Sequence, residues 1–234
     1  MSIILEAIDL SKTYHQHHAL NKLNLCVRAG EIYCLLGQNG AGKTTTINLF
    51  LGLIDPTEGV ARINNIEVHE KPEVARAHLA YIPEVVQLYG NLSAVENLDF
   101  FSRLAGIRHS GPQLTDLLHR AGLQSEAHHK HLKLYSKGMR QKVGIAIALA
   151  KNAKAILMDE PTSGLDPKAS AEFTQLCKEL ASEGRAILMA THDIFGAVNL
   201  GTTIGIMRQG QLVHQLPTSQ ITADGLQQLY METI

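Results

Sequence analysis

No apolar run in this sequence approaches the ~20 residues that a membrane-spanning helix needs. The longest, such as Val143 to Leu149 and Ala186 to Ala190, are bounded by Lys or Arg, so the chain is not expected to span a bilayer. An excess of charge of one sign is also missing. Formal net charge is −1, which leaves no bulk electrostatic footprint for nucleic acid. Met1 is followed by Ile3, Ile4 and Glu6, without the basic start, apolar core and small-residue cleavage site of a secretory signal. Only three cysteines occur, Cys26, Cys34 and Cys177, and none forms a C-x-x-C pair. Reduced, structural thiols in a cytoplasmic protein are the expectation. Tryptophan is absent, and no repeat, low-complexity tract or Pro/Gly-rich linker divides the chain.

What is present is 234 residues with 45% hydrophobic content, enough for one large domain or a domain carrying a subdomain. Three blocks emerge from the pattern. Residues 1 to about 84 are rich in strand-like runs: Ile3 to Ile8, Leu23 to Arg28, Glu31 to Leu36 and Val60 to Ile63. Ala29-Gly30-Glu31 and Asn64-Asn65 fall where tight turns between antiparallel strands are expected. From about 85 to 150 the chain reads as helical. Ser93 and Glu96 form an S-x-x-E capping box, and Leu98, Phe101 and Leu104 then recur at helical spacing. A second helix near Leu114 to Ala121 stops at Gly122. Beyond 150, strand and helix alternate: Ala155 to Met158, a helix from about Lys168 to Glu183 closed by Gly184, then Ala186 to Thr191. Such alternation predicts a parallel sheet covered by helices. Twelve histidines include the cluster His128, His129 and His131. With no Cys or carboxylate beside them, an exposed polar linker is expected there rather than a metal site.

The strand Glu31 to Leu36 runs directly into Gly37-Gln38-Asn39-Gly40-Ala41-Gly42-Lys43-Thr44, a full G-x-x-x-x-G-K-T phosphate loop, followed by a helical Thr45 to Leu51. Glycines let backbone N–H groups converge on phosphate oxygens, and the helix N-terminus adds its positive dipole end. Lys43 reaches the outer phosphates and Thr44 ligates Mg²⁺. A second site follows the apolar run Ala155 to Met158, which ends in Asp159-Glu160. Carboxylates at that end of a strand lie where open α/β sheets bind ligands. Asp159 is expected to organise the Mg²⁺ shell, and Glu160 to polarise an attacking water.

Together, these segments and their spacing resemble the ATP-binding subunits of ABC transporters over nearly the whole chain. Tyr14 matches the family's adenine-stacking aromatic, and Gly37 to Thr45 its phosphate loop. Tyr135-Ser136-Lys137-Gly138-Met139 matches the L-S-G-G-Q signature only at Ser136 and Gly138. It resembles a Y-S-K-G-M variant of bacterial exporter ATPases. Ser163-Gly164-Leu165-Asp166 matches the D-loop, and His192 the switch histidine. One position departs from the pattern: after Tyr81-Ile82-Pro83, Glu84 stands where the family has glutamine. An oxygen ligand to Mg²⁺ survives that change, but the local charge becomes more negative.

The resemblance implies a phosphate-loop α/β core with an N-terminal antiparallel β subdomain. It also implies a helical subdomain inserted at about 85–150 and a short C-terminal helix at about 218–233, all in one domain over 1–234. ATP and Mg²⁺ are the implied cofactors, with Glu160 and His192 catalytic and Thr44, Asp159 and Glu84 on the metal. Ser136 and Gly138 would act on nucleotide held by a second copy of the chain, and Asp166 would link the two sites. A polytopic membrane subunit is the further partner, which places the chain on the cytoplasmic face of the membrane, with export as the direction. Similar sequences also include the ATPase that assists copper-site maturation of nitrous oxide reductase. Soluble ABC proteins form another class, but they resemble tandem cassettes or carry coiled-coil insertions, and this chain has one cassette without either.

Overall fold

A computed structural model describes residues 2–234, and its strands fall into two sheets. The first is antiparallel, in the order β2-β1-β4-β5, built from β1 (Ile3–Tyr14), β2 (His17–Arg28), β4 (Glu58–Ile63) and β5 (Ile66–Glu67). The second has six strands in the order β10-β9-β3-β8-β7-β6. Its members are β3 (Ile32–Leu36), β6 (Leu79–Ile82), β7 (Ala155–Asp159), β8 (Ala186–Thr191), β9 (Thr203–Arg208) and β10 (Gln211–Pro217). Every pairing in it is parallel except β9 with β10.

Burial explains the arrangement. Every residue of β3 and of β8 is buried, as is β7 up to Met158. Continuous apolar runs of this kind belong to strands covered on both faces. Alternate residues of β3 serve two different cores. Ile32, Cys34 and Leu36 face one, shared with Leu98, Leu118, Val143 and Phe173. Tyr33 and Leu35 face the other, with Phe50 and the inner side chains of the antiparallel sheet. Edge strand β10 instead alternates exposed and half-buried residues.

Helices α1 (Lys43–Leu51) and α2 (Pro72–Ala77) lie between strands of the first half. Between β6 and β7 come α3 (Ala94–Leu104), α4 (Gly111–Arg120) and α5 (Lys137–Ala150). The chain continues through α6 (Pro167–Ser182), α7 (Ile194–Leu200) and α8 (Ala223–Thr233). The expected capping box forms: Ser93 Oγ accepts from Glu96 N, and Glu96 Oε2 accepts from Ser93 N at 2.7 Å. The C-terminal helix starts later than expected, since Thr218–Gln220 is a separate 3-10 turn before α8.

Two expectations need correction. Gly30 does turn the chain, with a φ of 83°, yet it joins no hairpin, because the chain leaves the antiparallel sheet after β2 and β3 belongs to the six-stranded one. The Asn64-Asn65 turn does close a hairpin, with both residues at positive φ and Ile63 paired to Ile66. The histidine cluster is not an exposed linker throughout: His128 is buried, and its Nε2 donates to the Leu123 carbonyl at 3.0 Å. All three cysteines are free, and burial pushes the Cys34 thiol up to about 12 and Cys177 above its ordinary range. Among the described residues, no helix is long and apolar enough to cross a membrane.

Candidate functional site

Three neighbouring parallel strands, β3, β8 and β7, bring their C-terminal ends to one edge of the sheet. From β3 the chain enters the phosphate loop and then α1. The loop depends on glycine where backbone and space leave no alternative. Gly42 has a φ of 110°, and a Cβ there would meet the Ala19 carbonyl at 2.9 Å. At Gly37 a Cβ would meet both Ala41 Cβ and the Met207 carbonyl at 2.8 Å. Lys43 is buried, with Nζ donating to the carbonyls of Gly37 at 2.5 Å and Gln38 at 3.3 Å. Burial lowers its pKa, opposed by the carboxylates of Glu160 and Asp159.

Strand β7 ends on the acidic pair. Thr44 Oγ1, from the first turn of α1, donates to Asp159 Oδ2 at a long 3.4 Å. Burial, and secondarily Glu160, hold the Asp159 carboxyl above the usual range, with Lys43 opposing. A hydroxyl and a carboxylate converging beside a phosphate loop are hard oxygen donors, which suit Mg²⁺. Glu160 leaves the strand in the left-handed region, with a φ of 44°. Such backbone strain is held by its surroundings, here by the bond from Glu160 N to the Ala190 carbonyl at 2.9 Å. Its Oε2 accepts from Thr191 Oγ1 at 3.2 Å and from His192 N at 3.4 Å, while His192 Nδ1 lies 2.8 Å from Oε1. The end of β8 therefore fixes both oxygens of the carboxylate.

Tyr14, Gln38, Asn39, Gly40, Gly42, Lys43, Thr44 and Thr45 line one cavity of about 450 Å³. Ala41 lines a neighbouring cavity with Gln38, Asn39 and Gly40, and Gly37 lines neither. Ser136, Gly138 and Asp166 line a different cavity of about 220 Å³, between α5 and α6, which shares no residue with the first. Asp166 is engaged locally as the cap of α6, accepting from Ala169 N at 2.9 Å. Glu84 is not drawn in with Thr44 and Asp159; its carboxylate turns to Ser163 and Lys137. Sequence reading overlooked His17, Thr191 and Lys137. His17 joins the cavity beside the phosphate loop because it pairs with Tyr14 across the β1–β2 hairpin. Thr191 stands directly before His192, which is the one linear signal that marks it.

This fold and site define a phosphate-loop ATPase. Residues 20–163 match the ABC transporter family, and the chain belongs to that family. It is 37% identical over 218 residues to the bacitracin transport ATP-binding protein BcrA of Bacillus licheniformis, covering 93% of this chain and 71% of that protein. To the Nod factor export ATP-binding protein I of Cupriavidus metallidurans it is 34% identical over 233 residues, covering 96% and 76%. Among solved structures, it is similar to a dimeric, post-hydrolysis ATP-binding cassette bound to ADP and Pi. Identity there is 28%, the TM-score 0.81, and coverage 92% of this chain and 99% of that one. ATP binding and hydrolysis are the general activity of this domain.

Proposed function

We propose that this chain is the ATP-hydrolysing subunit of an exporter, in which two copies sandwich ATP while separate membrane-spanning subunits carry the cargo. The observation behind the sandwich is the separation of the two cavities. Lys43 and Thr44 open into one, and Ser136 and Gly138 into the other. Ser136 caps α5, accepting from Met139 N at 3.3 Å, so the N–H groups of that helix end are positioned for an anion. The two cavities share no lining residue within one subunit, and in this reading a second copy brings the α5 end to the phosphate loop.

In this reading Tyr14 stacks on adenine, the backbone of Gly37 to Gly42 with Thr45 cradles the phosphates, and Lys43 moves from its carbonyls onto the outer ones. Thr44 and Asp159 would hold Mg²⁺, which would neutralise phosphate charge, and Glu84 would join them only on leaving Ser163 and Lys137. Glu160 orients the attacking water and accepts its proton. His192 steadies the Glu160 carboxylate through Nδ1, leaving its other nitrogen for the γ-phosphate. Asp166 and its loop carry the state of one site to the other.

Export is supported by a relative, the Nod factor export ATP-binding protein I of Cupriavidus metallidurans. Val85, Tyr89, Phe100 and Leu104 are exposed along the start of the helical region. Tyr89 packs edge-on to Phe100 with ring centroids 5.0 Å apart. We assign this apolar face to the cytoplasmic helix of a membrane subunit, which places the chain on the inner face of the cell membrane. The whole of 1–234 is then one ABC-type domain, with its helical subdomain at about 85–150.

Sizing of the Glu160→Gln chain tests the sandwich. A dimer is expected in ATP and Mg²⁺, and a monomer in ADP or when Lys43→Ala is added. A monomer in ATP at high protein concentration would reject the sandwich for the isolated subunit.

A further inference from the structure

Glu84 Oε1 accepts a hydrogen bond from Ser163 Oγ at 3.1 Å and lies 3.8 Å from Lys137 Nζ. These three residues come from three parts of the chain. Strand β6 runs parallel to β7 with Ile82 beside Met158, so the backbone through Glu84 continues alongside Asp159 and Glu160. Ser163 belongs to the turn between Glu160 and α6. Lys137 is the first residue of α5, directly after its cap Ser136. That helix and that turn form one packed unit. Gln141 Nε2 donates to the Pro161 carbonyl, and a Cβ at Gly138 would sit 3.6 Å from Leu165 Cδ2. Glu84 adds a polar contact between the edge of the sheet and that unit, beside the apolar packing of Ile82 and Val86 on α5.

Charge gives the contact its direction. A cation at the first position of a helix opposes the positive end of the helix dipole, so Lys137 has no favourable partner on α5 itself. The Glu84 carboxylate is the anion that faces it. The same carboxylate is among the charges that push Asp159 upward, which puts it within electrostatic reach of the proposed metal side without touching it.

We infer that Lys137 is a positioning residue: with Ser163 it clasps Glu84 away from the metal side of the phosphate loop, and binding of ATP with Mg²⁺ must open that clasp. This rests on the nucleotide site proposed above. It also has a consequence for a pair of sites. The clasp ties the edge of a subunit's own nucleotide site to α5 and to the Ser163 turn, the two segments assigned to the partner's site. Opening it in response to bound nucleotide therefore removes one polar tie on the elements that serve the other copy, while the apolar packing of α5 on Ile82 and Val86 stays in place.

Equilibrium ATP binding, titrated with Mg²⁺ in the full chain carrying Glu160→Gln, reads the clasp without turnover. Lys137→Met frees Glu84 and is expected to lower the Mg²⁺ needed for half-maximal ATP binding at least threefold. With Glu84→Gln present, the same substitution should change it less than twofold. Lys137→Arg should keep the parent value, and Ser163→Ala should shift it in the same direction as Lys137→Met, also only when Glu84 is intact. Equal shifts with and without Glu84, or no shift from either Lys137→Met or Ser163→Ala, would overturn the clasp. A parent chain that binds no ATP at any Mg²⁺ concentration would overturn the nucleotide site itself, and the clasp with it.

Discussion

At Asp159 the needs of the site and the stability of the fold oppose each other. Burial and the neighbouring Glu160 hold its carboxyl above the ordinary range. A raised carboxyl pKa means that the folded state favours the protonated form. Ionised Asp159 therefore opposes folding once pH exceeds the unfolded value, and that penalty vanishes below it. Asp159→Asn is expected to raise Tm at pH 7 in thermal unfolding. The gain should shrink as pH falls through the carboxylate range. A gain independent of pH, or a loss, would show that the electrostatic account of Asp159 is wrong. Residues such as Lys43, Thr44 and Asp159 were legible beforehand because each lies in a contiguous motif. Thr191 and Lys137 were not, because what marks them is the carboxylate each one meets, Glu160 and Glu84, far away in sequence.

Helix α3 shows how much of an element can be written locally. Ser93 is a buried cap whose oxygen accepts from Glu96 N, and its own carbonyl accepts from Asn97 Nδ2 at 2.9 Å. Ser93→Ala removes the cap and should cost about 1 kcal/mol of stability in urea unfolding, within the usual range for such losses. A change near zero would mean that the tertiary contacts of Asn97 alone hold this helix start. The strands were less legible. Both β1 and β2 extend well beyond the runs Ile3 to Ile8 and Leu23 to Arg28, because Asp9 and Lys22 sit at positive φ and the pairing register shifts between Ala7 and Leu10. A bulge inverts the inside–outside alternation, so a reader counting by twos stops there. The apolar repeat of α3 is split as well: Leu98 is in the core while Leu104 is 73% exposed. Spacing marks a stripe but not where the core ends.

For the molecule as a whole, the exposed face around Val85, Tyr89, Phe100 and Leu104 carries the prediction of a membrane partner. Affinity purification in mild detergent from the native cell should recover a polytopic protein in fixed ratio. Phe100→Asp should abolish that recovery while leaving ATP-dependent dimerisation of the Glu160→Gln chain intact. Recovery of ribosomes or DNA ends instead would move the chain to a soluble role, and loss of dimerisation in Phe100→Asp would mean that this face supports the fold rather than a partner.

Sequence alone was enough to recognise the phosphate loop, the acidic pair after its apolar strand, the capped start of α3 and the alternation that builds the parallel sheet. Each depends on short-range rules: backbone freedom at glycine, donors at a helix start, and the period of burial. Only the folded chain decided that β3 joins a different sheet from β2, that both Glu160 oxygens are fixed by the end of β8, and that Glu84 meets Ser163 and Lys137. The separation of the signature cavity from the phosphate loop belongs to the same group. These are contacts between segments tens of residues apart, set by which strand ends share a sheet edge, and no local pattern encodes which strands those are.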